Sequence, residues 1–167
     1  MKAIILPVCF LGLLTVASAD DLKGQITAMN GVVQKAMLKR DAVAFAAALK
    51  GQVTPDFKYF EDAKAKPMTF DQMVANMKMG FAQMASISTA EANVLTAKET
   101  GNTAKAVVSH HMLGKVAGQD KKTHTMTFSG VSIDMYQKIG GTWKMASMTW
   151  RSQETRLDGH LQKRPGM

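Results

Sequence analysis

The chain has 167 residues, with 21 basic against 13 acidic side chains and a formal net charge of +8 at pH 7. No run of five like charges occurs, and no basic stripe is interleaved with aromatic residues, so we expect no nucleic-acid binding. The sequence contains one cysteine, Cys9.

The first 19 residues predict a secretory signal peptide. Lys2 precedes an apolar run from Ala3 to Val16, and Ala17-Ser18-Ala19 form a small-residue cleavage site. The run is too short for a transmembrane helix, and we expect no membrane insertion once it is cleaved. Cleavage also removes Cys9, which excludes a disulfide and a thiolate nucleophile. The sequence therefore predicts a secreted or periplasmic protein.

The mature chain, residues 20–167, is long enough for a single packed domain. Apolar residues from Leu22 to Met37 follow helical spacing and predict a first helix. Asp41 fits the N-cap of a second helix, which Gly51 ends. A third helix follows Pro67.

Strands are predicted around and after the third helix. Val53–Phe60 carries apolar and aromatic residues at strand density, and residues 86–98 and 104–116 form two longer runs. Residues 123–152 then read as a hairpin that turns at Gly140-Gly141. Strands this long must bend and twist to stay within a domain of this size.

Three segments carry a resemblance to a known family: Lys39-Arg40-Asp41 between the first two helices, Thr54-Pro55-Asp56-Phe57 in the first strand, and Gly140-Gly141-Thr142-Trp143-Lys144 in the last hairpin. With this order of elements the chain resembles the nuclear transport factor 2-like (NTF2-like) superfamily, and most its SnoaL-like branch. The resemblance implies an α+β fold in which three N-terminal helices pack in a strongly curved antiparallel sheet, a cone or half-barrel with a pocket. It also implies a homodimer through the outer sheet face. Members include ketosteroid isomerases, polyketide cyclases, dehydratases and non-catalytic binders, so fold alone does not choose a function.

The turn at Gly140-Gly141 decides which residues line the predicted pocket. A two-residue turn pairs residues whose numbers sum to 281, and a one-residue bulge would exchange the two faces. We assign the mixed aromatic and polar face to the pocket, which gives as ligand-binding residues Tyr136, Trp143, Met145, Ser147, Thr149 and Arg151, with Met77 of the third helix. The apolar face is assigned to the homodimer and carries Val131, Ile133, Met135, Ala146, Met148 and Trp150.

Three residues are candidates for catalysis. Asp134 on the pocket face is one, because a carboxyl group among apolar neighbours can act as an acid or base near neutral pH. Asp62 lies where the resemblance to ketosteroid isomerases implies the proton-transferring aspartate. Val33, however, stands at the position of their oxyanion-holding tyrosine, so the chain lacks the main oxyanion donor of that mechanism. His110 is the third candidate: it and His111 point to opposite faces, so only one of the two can enter the pocket, where a neutral imidazole could act as a base.

No metal or cofactor is expected, since neither histidine has a second histidine at metal-ligand spacing and the methionines of the third helix follow its apolar stripe. The sequence thus predicts an exported SnoaL-like domain that binds a small apolar or amphipathic ligand in its cone. Two alternatives stay open. One is a lyase or isomerase, including cyclase-like and dehydratase-like chemistry, with an aspartate base assisted by a histidine or tyrosine. The other is a non-catalytic dimerisation module.

Overall fold

A computed structural model describes residues 19–118 and 121–162 of the chain. It confirms an α+β fold in which three helices precede most of a curved seven-stranded sheet. The helices are α1 (Ala19–Leu38), α2 (Ala42–Lys50) and α3 (Phe70–Gln83). The strands are β1 (Val53–Phe60), β2 (Met68–Thr69), β3 (Met84–Thr100), β4 (Thr103–Ala117), β5 (Thr123–Ile139), β6 (Thr142–Leu157) and β7 (His160–Leu161). The predicted signal peptide, apart from its last residue, lies outside the described residues. Among the described residues, no helix is long and apolar enough to cross a membrane.

The helix starts follow the predicted capping chemistry. The Asp41 carboxylate accepts hydrogen bonds from the backbone N–H groups of Val43 (3.0 Å) and Ala44 (2.9 Å) at the start of α2. Thr69 and Gln72 form the reciprocal capping box that begins α3. These side chains satisfy backbone N–H groups that have no partner within the helix itself.

The strands run in the order β2-β1-β6-β5-β4-β3. Strand β7 pairs with the last two residues of β6, Arg156 and Leu157. The four long strands form the predicted antiparallel meander. The sheet as a whole is mixed, because β1 pairs with β6 in parallel while the other strand pairs are antiparallel. This pairing is open to β1 because the chain passes through α3 and four strands (β2, β3, β4 and β5) before β6, which is ample length for a crossover.

Helix α1 packs against the sheet mainly at β3. Leu22 and Ile26 are fully buried, and their core neighbours include Ala90 and Val94 on β3. The loop after α1 is tied to the start of the same strand, because the Arg40 guanidinium donates a hydrogen bond to the carbonyl oxygen of Met84. The helix therefore covers one face of the sheet, which we call the inner face.

β-Bulges give the long strands their bend. The β3–β4 pairing shifts register at three places, and the β5–β6 pairing shifts at two. Each shift adds an unpaired residue, which bends the strand and increases its twist. The Gly140-Gly141 turn itself is as predicted, with Ile139 opposite Thr142 and both glycines at positive φ (57° and 82°).

Candidate functional site on the inner face

Polar side chains line the inner face along β4 and β5. Ser132, Asp134 and Tyr136 alternate along β5 and are at most 2% exposed. Their partners on β4 are Val108, Ala106 and Ala104, which are also buried. A row of buried polar groups opposite small apolar residues is costly to stability, and so it needs a structural or functional reason.

Asp134 is the most perturbed acid of this row. Its carboxyl group is 2% exposed, and burial raises its pKa from 3.8 to about 7, although a hydrogen bond with the Ser132 side chain acts in the opposite direction. Its Oδ1 atom has no hydrogen-bond partner among the described residues. Near neutral pH the group can therefore donate or accept a proton.

His110 is connected to Asp134 through Ser132. The His110 Nε2 atom lies 2.9 Å from the Ser132 hydroxyl oxygen, within hydrogen-bond distance. Burial lowers the pKa of His110 from 6.5 to about 4, so its imidazole is neutral at neutral pH. The three side chains form an array, His110–Ser132–Asp134, in which the serine hydroxyl bridges a neutral base and a carboxyl group.

Tyr136 follows Asp134 on the same face and is 1% exposed. Its hydroxyl group has no hydrogen-bond partner in the described part of the chain. Burial and the neighbouring Asp134 charge raise the pKa of Tyr136, which keeps its phenol protonated and able to donate. Asp134 and Tyr136 thus present two unpartnered oxygen atoms on one buried surface.

Aromatic rings extend the inner face beyond His110. The Trp150 ring packs edge-on against His110 (centroids 4.8 Å apart) and against Phe128 (5.3 Å), and its Nε1–H donates to the Tyr59 hydroxyl at 2.6 Å. Gly130 makes this arrangement possible, because a Cβ atom there would lie 2.7 Å from the Trp150 ring and 2.7 Å from the Ser152 carbonyl oxygen. The indole therefore lies directly over the backbone of β5.

The predicted pairing within the last hairpin is wrong beyond Met145. Tyr136 pairs with Met145 as predicted, but Met135 pairs with Ser147, so Ala146 is an extra residue that forms a bulge. Asp134 therefore lies opposite Met148 instead of Ser147, and Ser132 opposite Trp150 instead of Thr149.

The bulge moves three of the predicted ligand-binding residues away from Asp134. Ser147 and Thr149 pair with the outer-face residues Met135 and Ile133, while Arg151 is exposed at a second bulge. Met148 and Trp150, predicted for the homodimer surface, lie on the inner face instead. The sequence does carry a signal for this change, because the large apolar residues of β6 switch from odd numbers (143, 145) to even numbers (148, 150).

The structure brings together some of the remaining candidates and separates others. Trp143 and Met145 are buried on the inner face, and Met77 packs against the core from α3. His111 pairs with Glu91 and is exposed, so His110 is the inner histidine. Asp62 lies in an exposed turn, where its carboxylate accepts from the backbone N–H groups of Lys64 and Ala65, and it is not part of the array.

Within residues 19–118 and 121–162, no three His, Cys, Asp or Glu side chains are grouped so as to hold a metal ion. The surface hollows in this part of the chain include two that lie away from the array. One, of about 460 Å³, lies on the outer face beside Lys98, Lys105 and Met135, and the other, of about 350 Å³, lies between β1 and the start of α3. Neither is lined by Asp134 or Tyr136.

Solved structures share this fold. A hexachlorocyclohexane dehydrochlorinase (LinA, type 2) aligns with a TM-score of 0.62 and 11% identity over 87% of this chain and 95% of its own. An NTF2-like superfamily protein from Salmonella enterica serovar Typhimurium aligns at 0.56 and 15% identity, over 89% and 98% of the two chains. A proposed dehydratase of the NTF2-like family from Streptomyces avermitilis aligns at 0.54 and 15% identity, over 80% and 96%.

These similarities show that the chain has an NTF2-like fold. At 11 to 15% identity they carry the fold alone, and this fold is used by enzymes and by ligand binders. No protein-family model matches the sequence, and no curated protein matches it. The geometry of the inner face is therefore the remaining guide to function.

Proposed function

We propose that this chain is an exported protein of the SnoaL-like type that binds a small, mainly apolar ligand with one polar group in its cone. The observation that carries the proposal is the pair of buried oxygens, Asp134 Oδ1 and Tyr136 Oη, neither of which has a hydrogen-bond partner among the described residues. Leaving a buried polar atom unsatisfied costs about 1 to 3 kcal/mol, and a ligand hydroxyl or carbonyl group would recover that cost. Met145, Met148 and Trp150 supply the apolar surroundings.

Thermal unfolding with 1-hexanol tests this proposal. We expect hexanol to raise the Tm of the wild-type protein, and Asp134→Asn and Tyr136→Phe to reduce the increase. Asp62→Asn is the matched control, because that carboxylate is exposed and lies outside the array. An equal response of all four proteins would show that hexanol does not bind at Asp134 and Tyr136. Native mass spectrometry of the purified protein would identify any molecule that is retained.

A lyase or isomerase is the second candidate, and the pKa of Asp134 near 7 favours it. The Asp134 carboxylate would take a proton from a carbon next to a carbonyl group, the C–H electron pair would move toward the carbonyl oxygen, and the Tyr136 hydroxyl would donate to that oxygen. Return of the proton at another carbon completes an isomerisation, whereas loss of a leaving group completes an elimination. His110 and Ser132 would orient the carboxyl group.

Deuterium exchange separates this candidate from simple binding. Cyclohexanone in D₂O should exchange its α-hydrogens faster with wild-type protein than with Asp134→Asn, as followed by proton NMR. If exchange is equal with both proteins while hexanol binding depends on Asp134, the protein binds a ligand at this site but does not catalyse proton abstraction.

We further propose that the protein forms a homodimer through the outer face of the sheet. Apolar residues that alternate with the inner-face row support this surface, namely Val131, Ile133 and Met135 on β5 and Val107 on β4. Light scattering after size-exclusion chromatography tests it. Ile133→Glu should give a monomer, and Val32→Glu, at an exposed position on α1, should leave the mass unchanged.

A further inference from the structure

A third unpartnered oxygen belongs to Glu99 at the end of β3. Its Oε1 atom is buried and has no hydrogen-bond partner among the described residues. Glu99 pairs with Ala104, and Ala104 pairs in turn with Tyr136. Glu99 and Tyr136 thus lie on either side of Ala104, on one row across the inner face.

The neighbouring row has the same form. Ala97 pairs with Ala106, and Ala106 pairs with Asp134. We call Ala97, Ala104 and Ala106 the alanine floor. None of these residues has a side chain beyond Cβ, so the floor itself contributes no large side chain between Glu99, Asp134 and Tyr136. Adjacent strands lie about 4.8 Å apart, which places the Cα atoms of Glu99 and Tyr136 about 10 Å from each other across the floor.

We infer that Glu99, Asp134 and Tyr136 form one subsite over the alanine floor that binds a hydrogen-bond-donating, preferably cationic, group such as an amine. This inference rests on the proposed function and deepens it by naming the class of ligand. The subsite is rich in acceptors, since two of its three groups are carboxyl groups, and carboxylates form their strongest hydrogen bonds with cationic donors. Asp134 and Tyr136, at 2% and 1% exposure, are buried too deeply for bulk water to solvate them freely.

Lys138 is the cation next along the inner face of β5, and it is engaged elsewhere. Its ammonium group lies 5.2 Å from the centroid of the Trp143 ring, in a cation–π contact. A ligand carboxylate would therefore face the Glu99 and Asp134 side chains without a free counter-charge from Lys138. A ligand amine would find two acceptor groups.

Three probes with the same chain and different head groups test the inference: hexylamine, 1-hexanol and sodium hexanoate, each titrated against the full-length protein by thermal shift at pH 7.5. We expect the increase in Tm to be largest with hexylamine and smallest with hexanoate. The protein's net charge of +8 attracts anions, so non-specific binding would give the reverse order.

Glu99→Gln should lower the affinity for hexylamine about tenfold and leave that for hexanol within about twofold, because it removes the charge and keeps the shape. Glu91→Gln is the matched control, since Glu91 lies on the same strand, pairs with His111, is exposed on the outer face and undergoes the same change of charge. It should leave both affinities unchanged.

The outcomes separate the two proposals. Preference for hexylamine that is lost in Glu99→Gln and kept in Glu91→Gln supports the inference. Hexanol binding that depends on Asp134 and Tyr136, with no preference for the amine or no effect of Glu99→Gln, overturns the inference and leaves the proposed function standing. Failure of all three probes to shift the Tm of the wild-type protein overturns both.

Discussion

Replacing Asp134 by asparagine should change how the stability of the protein depends on pH. Burial raises the pKa of this carboxyl group from 3.8 to about 7 in the folded protein, so between these values the folded chain keeps a proton that the unfolded chain has released. Stability then falls as pH rises, by about 1.4 kcal/mol per pH unit for one proton. The stability that the protonated group contributes is complete below pH 3.8 and is lost by the time pH passes 7.

His110 changes stability with pH in the opposite direction to Asp134, so its contribution has to be removed before that of Asp134 can be measured. Its pKa is lowered from 6.5 to about 4, so the unfolded chain binds the extra proton, and stability rises with pH over that range. Between pH 4 and pH 6.5 the contributions of Asp134 and His110 to the pH dependence of stability nearly cancel in the wild-type protein. The informative quantity is therefore the difference in unfolding free energy between Asp134→Asn and wild type, in which the His110 contribution is common to both.

Urea unfolding at pH 5, 6 and 7, followed by tryptophan fluorescence, measures this difference. We expect it to move by about 2 kcal/mol in favour of Asp134→Asn from pH 5 to pH 7, because asparagine is neutral throughout. Asp62→Asn, at an exposed aspartate outside the array, is the control for the change of side chain. A difference for Asp134→Asn that stays constant over this range would refute the assignment of a raised pKa to Asp134.

Three further predictions follow from the inner face. His110→Asn should remove the His110 contribution, so the unfolding free energy of the variant should rise by about 2 kcal/mol relative to that of wild type from pH 7 to pH 5 in the same urea titrations. Gly130→Ala should cost about 1 to 3 kcal/mol and alter the near-UV circular dichroism of Trp150, because its Cβ would overlap the indole and a backbone oxygen. Gly24→Ala, in an open position on α1, should instead stabilise by about 0.5 to 1 kcal/mol. Tyr136→Phe should raise the Tm of the ligand-free protein, because it removes an unpartnered hydroxyl, and it should weaken hexanol binding. A lower Tm would indicate that the hydroxyl has a stabilising partner.

Local signals in the sequence were sufficient for most of the fold. The Asp41 cap, the Thr69–Gln72 capping box and the Gly140-Gly141 turn each depend on residues within four positions of one another, and the structure confirms all three. The parallel pairing of β1 with β6 joins segments about 90 residues apart, and no local pattern specifies it. The two-residue strands β2 and β7 were also missed, because they are too short to show a period.

The inner face was predictable only in part, for a reason that lies in β6. Alternation along β5 places Asp134 and Tyr136 on the same face, independently of the register of β6. The structure has both residues on one face, as that part of the prediction requires. One extra residue, Ala146, reverses the alternation of everything after it, so Trp150 moves inward and Thr149 outward. Glu99 was missed as well, because its position relative to Tyr136 depends on the register of two strand pairings, β3 with β4 and β4 with β5.

Buried polar groups also bear on the choice between a ligand site and a dimerisation module. A module that serves only for association gains nothing from Asp134 and Tyr136 in its interior, since apolar side chains of similar size would avoid about 1 to 3 kcal/mol for each unsatisfied group. The array His110–Ser132–Asp134 adds to this cost, because burial moves the pKa values of both ionisable members away from their ordinary values in the direction that disfavours charge. An arrangement that lowers stability at several adjacent positions on one face is expected where a site is kept for a ligand. The inner face, rather than the exposed Asp62 turn, is therefore where a bound molecule should be sought.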